Sequence, residues 1–467
     1  MKISFHGADQ GVTGSCHLLE CAGKRILIDC GMYQGGRELV AENTEPFGFD
    51  PASIDYLLLT HAHLDHCGRI PLLAKRGFKG EIITTAATVE LARLVMLDSA
   101  GLQEEEARYR LRKAKRVANY SSSLADIQPL YTTMDALNSL DYFGRKVSYD
   151  QSIELTKGIK ATFIDAGHIL GSASIVLELQ EQTHQHKILF SGDLGYSNRA
   201  ILRNPATPPQ VDTVVMETTY GDRLHKQLQP SIDELYEIIN DTIGRGGNVI
   251  IPTFALERAQ EILYYLREGV NSHAIKHFTN VFLDSPMAIS ATQIFERHPE
   301  CYDQATLQVA AGNRDPFNLP GLRFTRETAE SIAISQIKGG AVIMAGSGMC
   351  TGGRVRHHLK HNLWGRRNSV VFVGYAASGT LARRIIDGAP RVKIFSEEIP
   401  VNASIHTIGG FSAHADQAEL LAWHQHTGNP KTTFLVHGEE NSMSIFAHKL
   451  QQTQVIMPRL GEEFVLD

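Results

Sequence analysis

The sequence predicts an α/β protein of two or three domains, on three observations. At 467 residues the chain exceeds what one ordinary hydrophobic core organises, and 43% hydrophobic against 21% charged residues is the balance of a folded soluble chain. Over residues 1 to about 200, short β-rich runs (15–20, 25–29, 81–84, 159–165, 174–179 and 187–191) alternate with helical patterns, which predicts a layered α/β domain. From about 212 to 395 the alternation becomes regular, with strands at 213–216, 248–252, 281–284, 341–345 and 369–373 each leading into a helix-like segment. That rhythm predicts a doubly wound parallel sheet. After 400, short runs at 404–406 and 432–436, with helical stretches at 415–426 and 442–451, fit either domain.

The chain starts in a strand-like Lys2-Ile3-Ser4-Phe5, with no charged-then-apolar leader and no apolar run of about 18 residues. A cytoplasmic protein without a membrane span is expected. Six cysteines (Cys16, Cys21, Cys30, Cys67, Cys301, Cys350) form no C-x-x-C pair and no framework spacing, so they are read as reduced, packed thiols, Cys67 included despite its place beside His66. The charged stretch 104–116 is read as a solvated helix with i,i+4 pairs Glu104/Arg108 and Glu106/Arg110.

One string carries chemistry openly. Thr60-His61-Ala62-His63-Leu64-Asp65-His66 places three imidazoles and a carboxylate within six residues, a nitrogen and oxygen donor set suited to zinc and richer than one tetrahedral ion needs. Two metals are therefore expected. The preceding apolar run 54–59 reads as a buried strand, and 68–76, with Pro71 in its first turn, as a helix, so the ligands fall on a strand-to-helix loop. Other strand-end segments repeat the theme: Asp165-Ala166-Gly167-His168, Ser191-Gly192-Asp193, Phe411-Ser412-Ala413-His414 and Val436-His437-Gly438-Glu439. Any one of these alone is weak, and His184, His186, His424 and His426, in polar turn or helix-surface settings, are assigned no function.

Together these segments resemble the metallo-β-lactamase superfamily. Asp29 in Leu27-Ile28-Asp29-Cys30-Gly31 matches its first motif, His61-x-His63-x-Asp65-His66 its second, His168 its third and Asp193 its fourth. Met216-Glu217-Thr218-Thr219-Tyr220-Gly221-Asp222 resembles motif A of the β-CASP nucleases, 411–414 motif B and 436–439 motif C. Strings at 251–255, 283–288, 346–349 and Gly374-Tyr375 are similar to those of the RNA-processing branch, in particular bacterial and archaeal homologues of the endonuclease subunit of the cleavage and polyadenylation complex.

The resemblance implies a metallo-β-lactamase αββα sandwich with an inserted doubly wound parallel-sheet β-CASP domain. The implied boundaries are 1–210 for the first part of the sandwich, 211–397 for the insertion and 398–467 for the return, with the active site in the cleft between domains. It implies two zinc ions per chain: His61, His63 and His168 on one, Asp65, His66 and His437 on the other, and Asp193 bridging. Asp65 and Asp193 thus count as catalytic as well as ligating. His414, oriented by Glu217, would protonate the departing 3′ oxygen, while Asp29 would hold the ligand loop rather than touch metal. The implied substrate is single-stranded RNA, cut internally or trimmed from its 5′ end, and the implied assembly is a homodimer.

A net charge of −6 argues against indiscriminate nucleic-acid binding, but residues 323–393 carry twelve Lys/Arg against three Asp/Glu, a local excess of +9. Within that stretch Gly346-Ser347-Gly348 follows a strand of the parallel sheet, where backbone N–H groups are expected to form an anion nest. Ser347, Gly348 and, on the next helix, His357 and His358 are the phosphate-contact candidates. Three other readings compete. A small-molecule hydrolase leaves the inserted domain idle, and a flavodiiron-type redox protein carries glutamate where this chain has His63. An inactive RNA-binding scaffold would have lost metal ligands, and here each motif retains its own.

Overall fold

A computed structural model of the chain describes residues 1–116, 127–276, 280–312, 314–374, 376–377 and 379–466. Two compact units result: Met1–Ser197 with Asn204–Leu224 and His414–Asp467, and Asn198–Arg203 with His225–Ala413.

Among the described residues the first unit holds two seven-stranded sheets. One runs Glu463–Val465, Lys2–Phe5, His17–Cys21, Lys24–Ile28, Tyr56–Leu58, Glu81–Thr85, Phe143–Val147; the other runs Gln454–Ile456, Thr432–Val436, Thr213–Glu217, His184–Phe190, Ala173–Glu181, Ile159–Asp165, Ser152–Thr156. Alternate side chains point to opposite faces of a strand, so each sheet turns one apolar face inward. Ile3, Phe5, Leu19, Ile26 and Leu58 of the first sheet meet Phe163, Ile175, Phe190, Val215 and Phe434 of the second in a common core. Truncating such a buried phenylalanine costs about 3–5 kcal/mol. On the outer face of the second sheet, Leu420 and Trp423 of the helix Gln417–Gln425 and Met443 and Phe446 of Glu440–Ala447 cover Leu189, Val214 and Leu435. Helices therefore flank a two-sheet sandwich, as expected.

The second unit contains a six-stranded, all-parallel sheet ordered Leu322–Phe324, Asn280–Leu283, Ala341–Ala345, Val249–Pro252, Ser369–Val373, Ser404–Ile408. Its inner strands Asn280–Leu283, Ala341–Ala345, Val249–Pro252 and Ser369–Val373 are short, largely apolar and buried runs, as in a sheet covered on both faces, whereas the two edge strands carry polar, partly exposed residues. Two segments fall on the other side of the boundaries expected at 211 and 397. The strand Thr213–Glu217 pairs in parallel with both His184–Phe190 and Thr432–Val436, which places it in the sandwich. The strand Ser404–Ile408 pairs with Ser369–Val373 along its whole length, which keeps 398–413 with the second unit. A short buried strand looks alike in either sheet, so its own sequence does not choose between them.

The helix Ala86–Arg116 carries the Glu106–Arg110 pair, whereas Glu104 turns to the backbone N–H of Thr133 (2.8 Å). All six cysteines are buried and none joins another in a disulfide, and Cys67 directs its Sγ at the Ala62 carbonyl. No helix among the described residues is long and apolar enough to cross a membrane.

Candidate metal centre

The site belongs wholly to the first unit and gathers at the carboxyl ends of its strands. Tyr56–Leu58 runs parallel to Lys24–Ile28 and to Glu81–Thr85, so the chain leaves the sheet at Thr60 into the histidine string. Asp29, at the end of the neighbouring strand, takes φ +62°, a left-handed conformation that aspartate tolerates better than most residues. Its carboxylate then accepts from Thr60 N (2.8 Å), Thr60 Oγ1 (2.8 Å) and His66 Nδ1 (2.7 Å). Leu64–Cys67 forms one helical turn with His63 as its cap, which leaves Asp65 in the first turn. Gly31 is required beneath that turn, since a Cβ there would lie 1.6 Å from the Asp65 carbonyl oxygen.

The ligand loops 165–168 and 191–195 lie on one another. Gly195 N donates to Ala166 O (2.8 Å), and a Cβ on Gly195 would fall 1.8 Å from Gly167 O. The backbone of Gly195 also bridges that of His414, with Ala415 N on Leu194 O at 2.8 Å, which fixes His414 at the same end of the sandwich. His437 follows the strand Thr432–Val436 with φ +48°, its N–H on Ala8 O (2.7 Å).

Two donor clusters result. His61 Nε2 and His168 Nε2 each lie 3.1 Å from His63 Nδ1 and 3.5 Å from Asp193 Oδ2. His66 Nε2 lies 3.3 Å from His437 Nε2 and 3.2 Å from Asp193 Oδ1, and Asp65 Oδ2 lies 3.6 Å from His437 Nε2. Asp193 therefore presents one oxygen to each cluster. Beside them Glu217, fully buried, takes Leu194 N (2.6 Å) and His414 Nδ1 (3.1 Å) on one oxygen and Thr219 N (3.2 Å) on the other.

These residues fit metal. Ligands bound at about 2.0–2.1 Å in a tetrahedron stand about 3.3 Å from each other, the spacing found here. Hydrogen bonds among the imidazoles do not account for it alone, because His63 Nδ1 faces two other ring nitrogens at 3.1 Å and offers only one proton or one lone pair to serve both. Asp193 Oδ1 is buried and lacks a hydrogen-bond partner, though its closest nitrogen lies only 3.2 Å away outside bonding geometry. Burial holds His61 well below the usual histidine range and His63 down to about 4, which keeps both in the neutral form that ligates. At His66 burial also opposes charge, but the carboxylates of Asp193 and Asp29 outweigh it and push the group well up, so its surroundings favour positive charge.

Three family models cover most of the chain: the metallo-beta-lactamase superfamily over 10–237, the Beta-Casp domain over 259–385 and the Zn-dependent metallo-hydrolase RNA specificity domain over 398–458. Ribonuclease TTHA0252 of Thermus thermophilus is 40% identical over 464 residues, 99% of each chain. The chain belongs to the β-CASP family of the metallo-β-lactamase superfamily. Other relatives of this β-CASP chain include transcription termination factor FttA of Methanocaldococcus jannaschii, 29% identical over 97% of the chain and 69% of that protein. Cleavage and polyadenylation specificity factor 73 of Drosophila melanogaster is also 29% identical, and the chain spans 62% of its length. The β-CASP protein is accordingly a metal-dependent hydrolase.

The site's sequence-predicted residues His61, His63, Asp65, His66, His168, Asp193, Glu217, His414 and His437 come together, their donor atoms falling into sets within 4.8 Å. Asp29 touches His66 instead of facing the clusters. Thr60 and Thr219 were not singled out in the sequence, yet Thr60 Oγ1 meets His61 Nδ1 (3.0 Å) and Thr219 Oγ1 meets His437 Nδ1 (3.2 Å), orienting both rings. Their only signal was adjacency to a ligand string.

In the second unit the phosphate candidates separate. Ser347 and Gly348 are half-buried, and the Ser347 N–H turns inward to Gly352 O (3.3 Å), so that amide does not serve the expected nest. His357 is exposed. His358 is corrected: it is buried, with Nε2 on Asp284 Oδ2 at 2.6 Å, because the helix Val355–Asn362 turns that position onto the sheet. It supports the fold instead of offering a ring to solvent. Tyr375 lies outside the described residues.

Proposed function

We propose that this protein is a two-zinc ribonuclease that hydrolyses phosphodiester bonds of single-stranded RNA, by internal cleavage with or without trimming from the 5′ end. The observation that carries the reading is the split of Asp193 between two donor clusters with the His414–Glu217 pair alongside. His61, His63 and His168 would hold one ion, Asp65, His66 and His437 the other, and Asp193 both. When bound, the ions supply Lewis-acid polarisation of the phosphodiester and activation of the attacking water.

The protein's own groups do the rest. Burial works against a charged His414, but the charge and hydrogen bond of Glu217, aided by Asp193 and Asp65, raise it to about 9. His414 therefore carries a proton at neutral pH, and Glu217 fixes the ring through Nδ1. Proton transfer from His414 to the departing 3′ oxygen would leave a 5′-phosphate on the downstream product. Three backbone or ring N–H groups hold Glu217 in place while it does this. The ribonuclease reading is supported by the name of the Thermus relative at 40% identity and by the RNA specificity model over 398–458.

The test is incubation of pure protein with end-labelled RNAs bearing 5′-triphosphate, 5′-monophosphate or 5′-hydroxyl ends, with and without chelator. Chelator-sensitive cleavage yielding 5′-phosphate ends supports the proposal, and equal release from all three ends marks internal cleavage. Hydrolysis of a lactam or thioester with RNA left intact would overturn it. Sedimentation of the same sample reads whether the chain dimerises.

A further inference from the structure

We propose that the turn at Phe395, seated on the outer face of the helix Val355–Asn362, is a stacking platform for the nucleobases of single-stranded RNA. This inference rests on the ribonuclease reading and adds a subsite to it. The helix buries Val355, His358, Leu359 and Asn362 and leaves His357 and His361, one turn apart, exposed. Onto it folds the hairpin of Arg391–Ile394 and Glu397–Pro400, joined by Phe395 and Ser396. Both turn residues take left-handed backbone, φ +50° and +69°. A two-residue hairpin turn of that kind favours asparagine and glycine, and a phenylalanine there is strained.

Packing does not explain the choice, since Phe395 is 41% exposed while its neighbours Val392, Ile394 and Ile399 fill the core. The ring instead builds an aromatic and cationic surface. His357 lies over it at 4.4 Å between centroids and 33° between planes, and the Arg356 guanidinium stands 4.6 Å from its centre. Trp364, just past the helix, is 58% exposed and is followed by exposed Arg366 and Arg367. Acidic groups of the hairpin are engaged nearby: Glu397 by Lys360 at 2.6 Å and Glu398 by Arg391 at 3.4 Å. The part of Phe395 that faces solvent therefore stands beside an exposed imidazole and a guanidinium group, the chemistry that holds unpaired bases of any sequence. A duplex hides its bases and gains nothing from such a surface.

The test uses the full chain and a labelled, phosphorothioate-linked single-stranded oligoribonucleotide, the same oligomer with abasic positions, and the duplex. Phe395→Ala and His357→Ala should each weaken binding of the single strand on the order of tenfold, with Phe395→Trp close to wild type. For Phe395→Ala the slope of log K against log salt should stay constant, because a phenylalanine ring makes no phosphate contact. On the abasic oligomer the variants should converge with wild type. Unchanged affinity of Phe395→Ala while wild type binds RNA overturns the platform and spares the ribonuclease reading. Absence of RNA binding by wild type overturns both. A change in sedimentation of Phe395→Ala at unchanged RNA affinity would make the tip a contact between copies, which also overturns it.

Discussion

Asp29 Oδ2 accepts from His66 Nδ1 at 2.7 Å, and the same carboxylate takes both the N–H and the hydroxyl of Thr60. That bond sets the tautomer of His66 and turns its Nε2 towards Asp193 and His437. An aspartate that touches no other donor of the clusters thus decides how the loop presents its last ligand.

Asp29→Asn preserves size, but its amide must present NH2 to His66 or to the Thr60 backbone, where an acceptor is needed. Metal affinity should fall about 10- to 100-fold with the fold retained. Competitive zinc titration of the purified variant, with circular dichroism as control, measures this. Unchanged affinity would mean that Thr60 alone orients the loop.

His414→Ala should slow RNA cleavage by about 10²- to 10⁴-fold while metal content stays at the wild-type level. A loss of zinc would show that His414 ligates instead. Because its pKa is raised, to about 9, the protonated acid is present below that pH and cleavage declines as pH rises through it. Metal cations bound beside it pull the value down, so the alkaline limb falls at or below about 9. Glu217→Gln removes the main raising influence and should move that limb to lower pH. The pH profile of kcat/KM for wild type and variant reads the shift directly.

Asp284 is the structural counterpart in the second unit. Burial alone would raise its pKa, but His358, Ser331, Arg354 and Thr325 all donate to it and hold it down at about 2. Its contribution to stability is therefore complete above the ordinary aspartate value of about 3.9 and is lost as pH falls towards 2. Asp284→Ala strands buried donors and should cost about 3–5 kcal/mol, seen as a lower urea midpoint that an unaltered first unit does not share. An unchanged midpoint would remove Asp284 from that role.

Much of this was legible in the sequence, and the gaps have physical causes. His61 to His66 announce a metal site because contiguous ligands need no tertiary information. His168 and Asp193 are ordinary strand-end residues until a resemblance groups them, and His437 lies 371 residues from its partner His66. The strand ending in Glu217 reads as any buried β run, so nothing local assigned it to the sandwich rather than to the parallel sheet. His358 looked like its neighbour His357, since helical phase against an unseen sheet decides which of two adjacent histidines meets Asp284. Phe395 carried no signal, because an aromatic residue between strands is expected to be core.

The two ends of the chain, at His61 to His66 and at His437, complete one cluster of metal-ligating groups. The most direct test is His437→Ala, with zinc per chain measured by elemental analysis alongside cleavage of a labelled single-stranded RNA. The expected result is two zinc ions in wild type, fewer in the variant, and cleavage reduced at least about a hundredfold with the fold intact. A variant that keeps both metals and cuts RNA at the wild-type rate would exclude His437 from the metal centre.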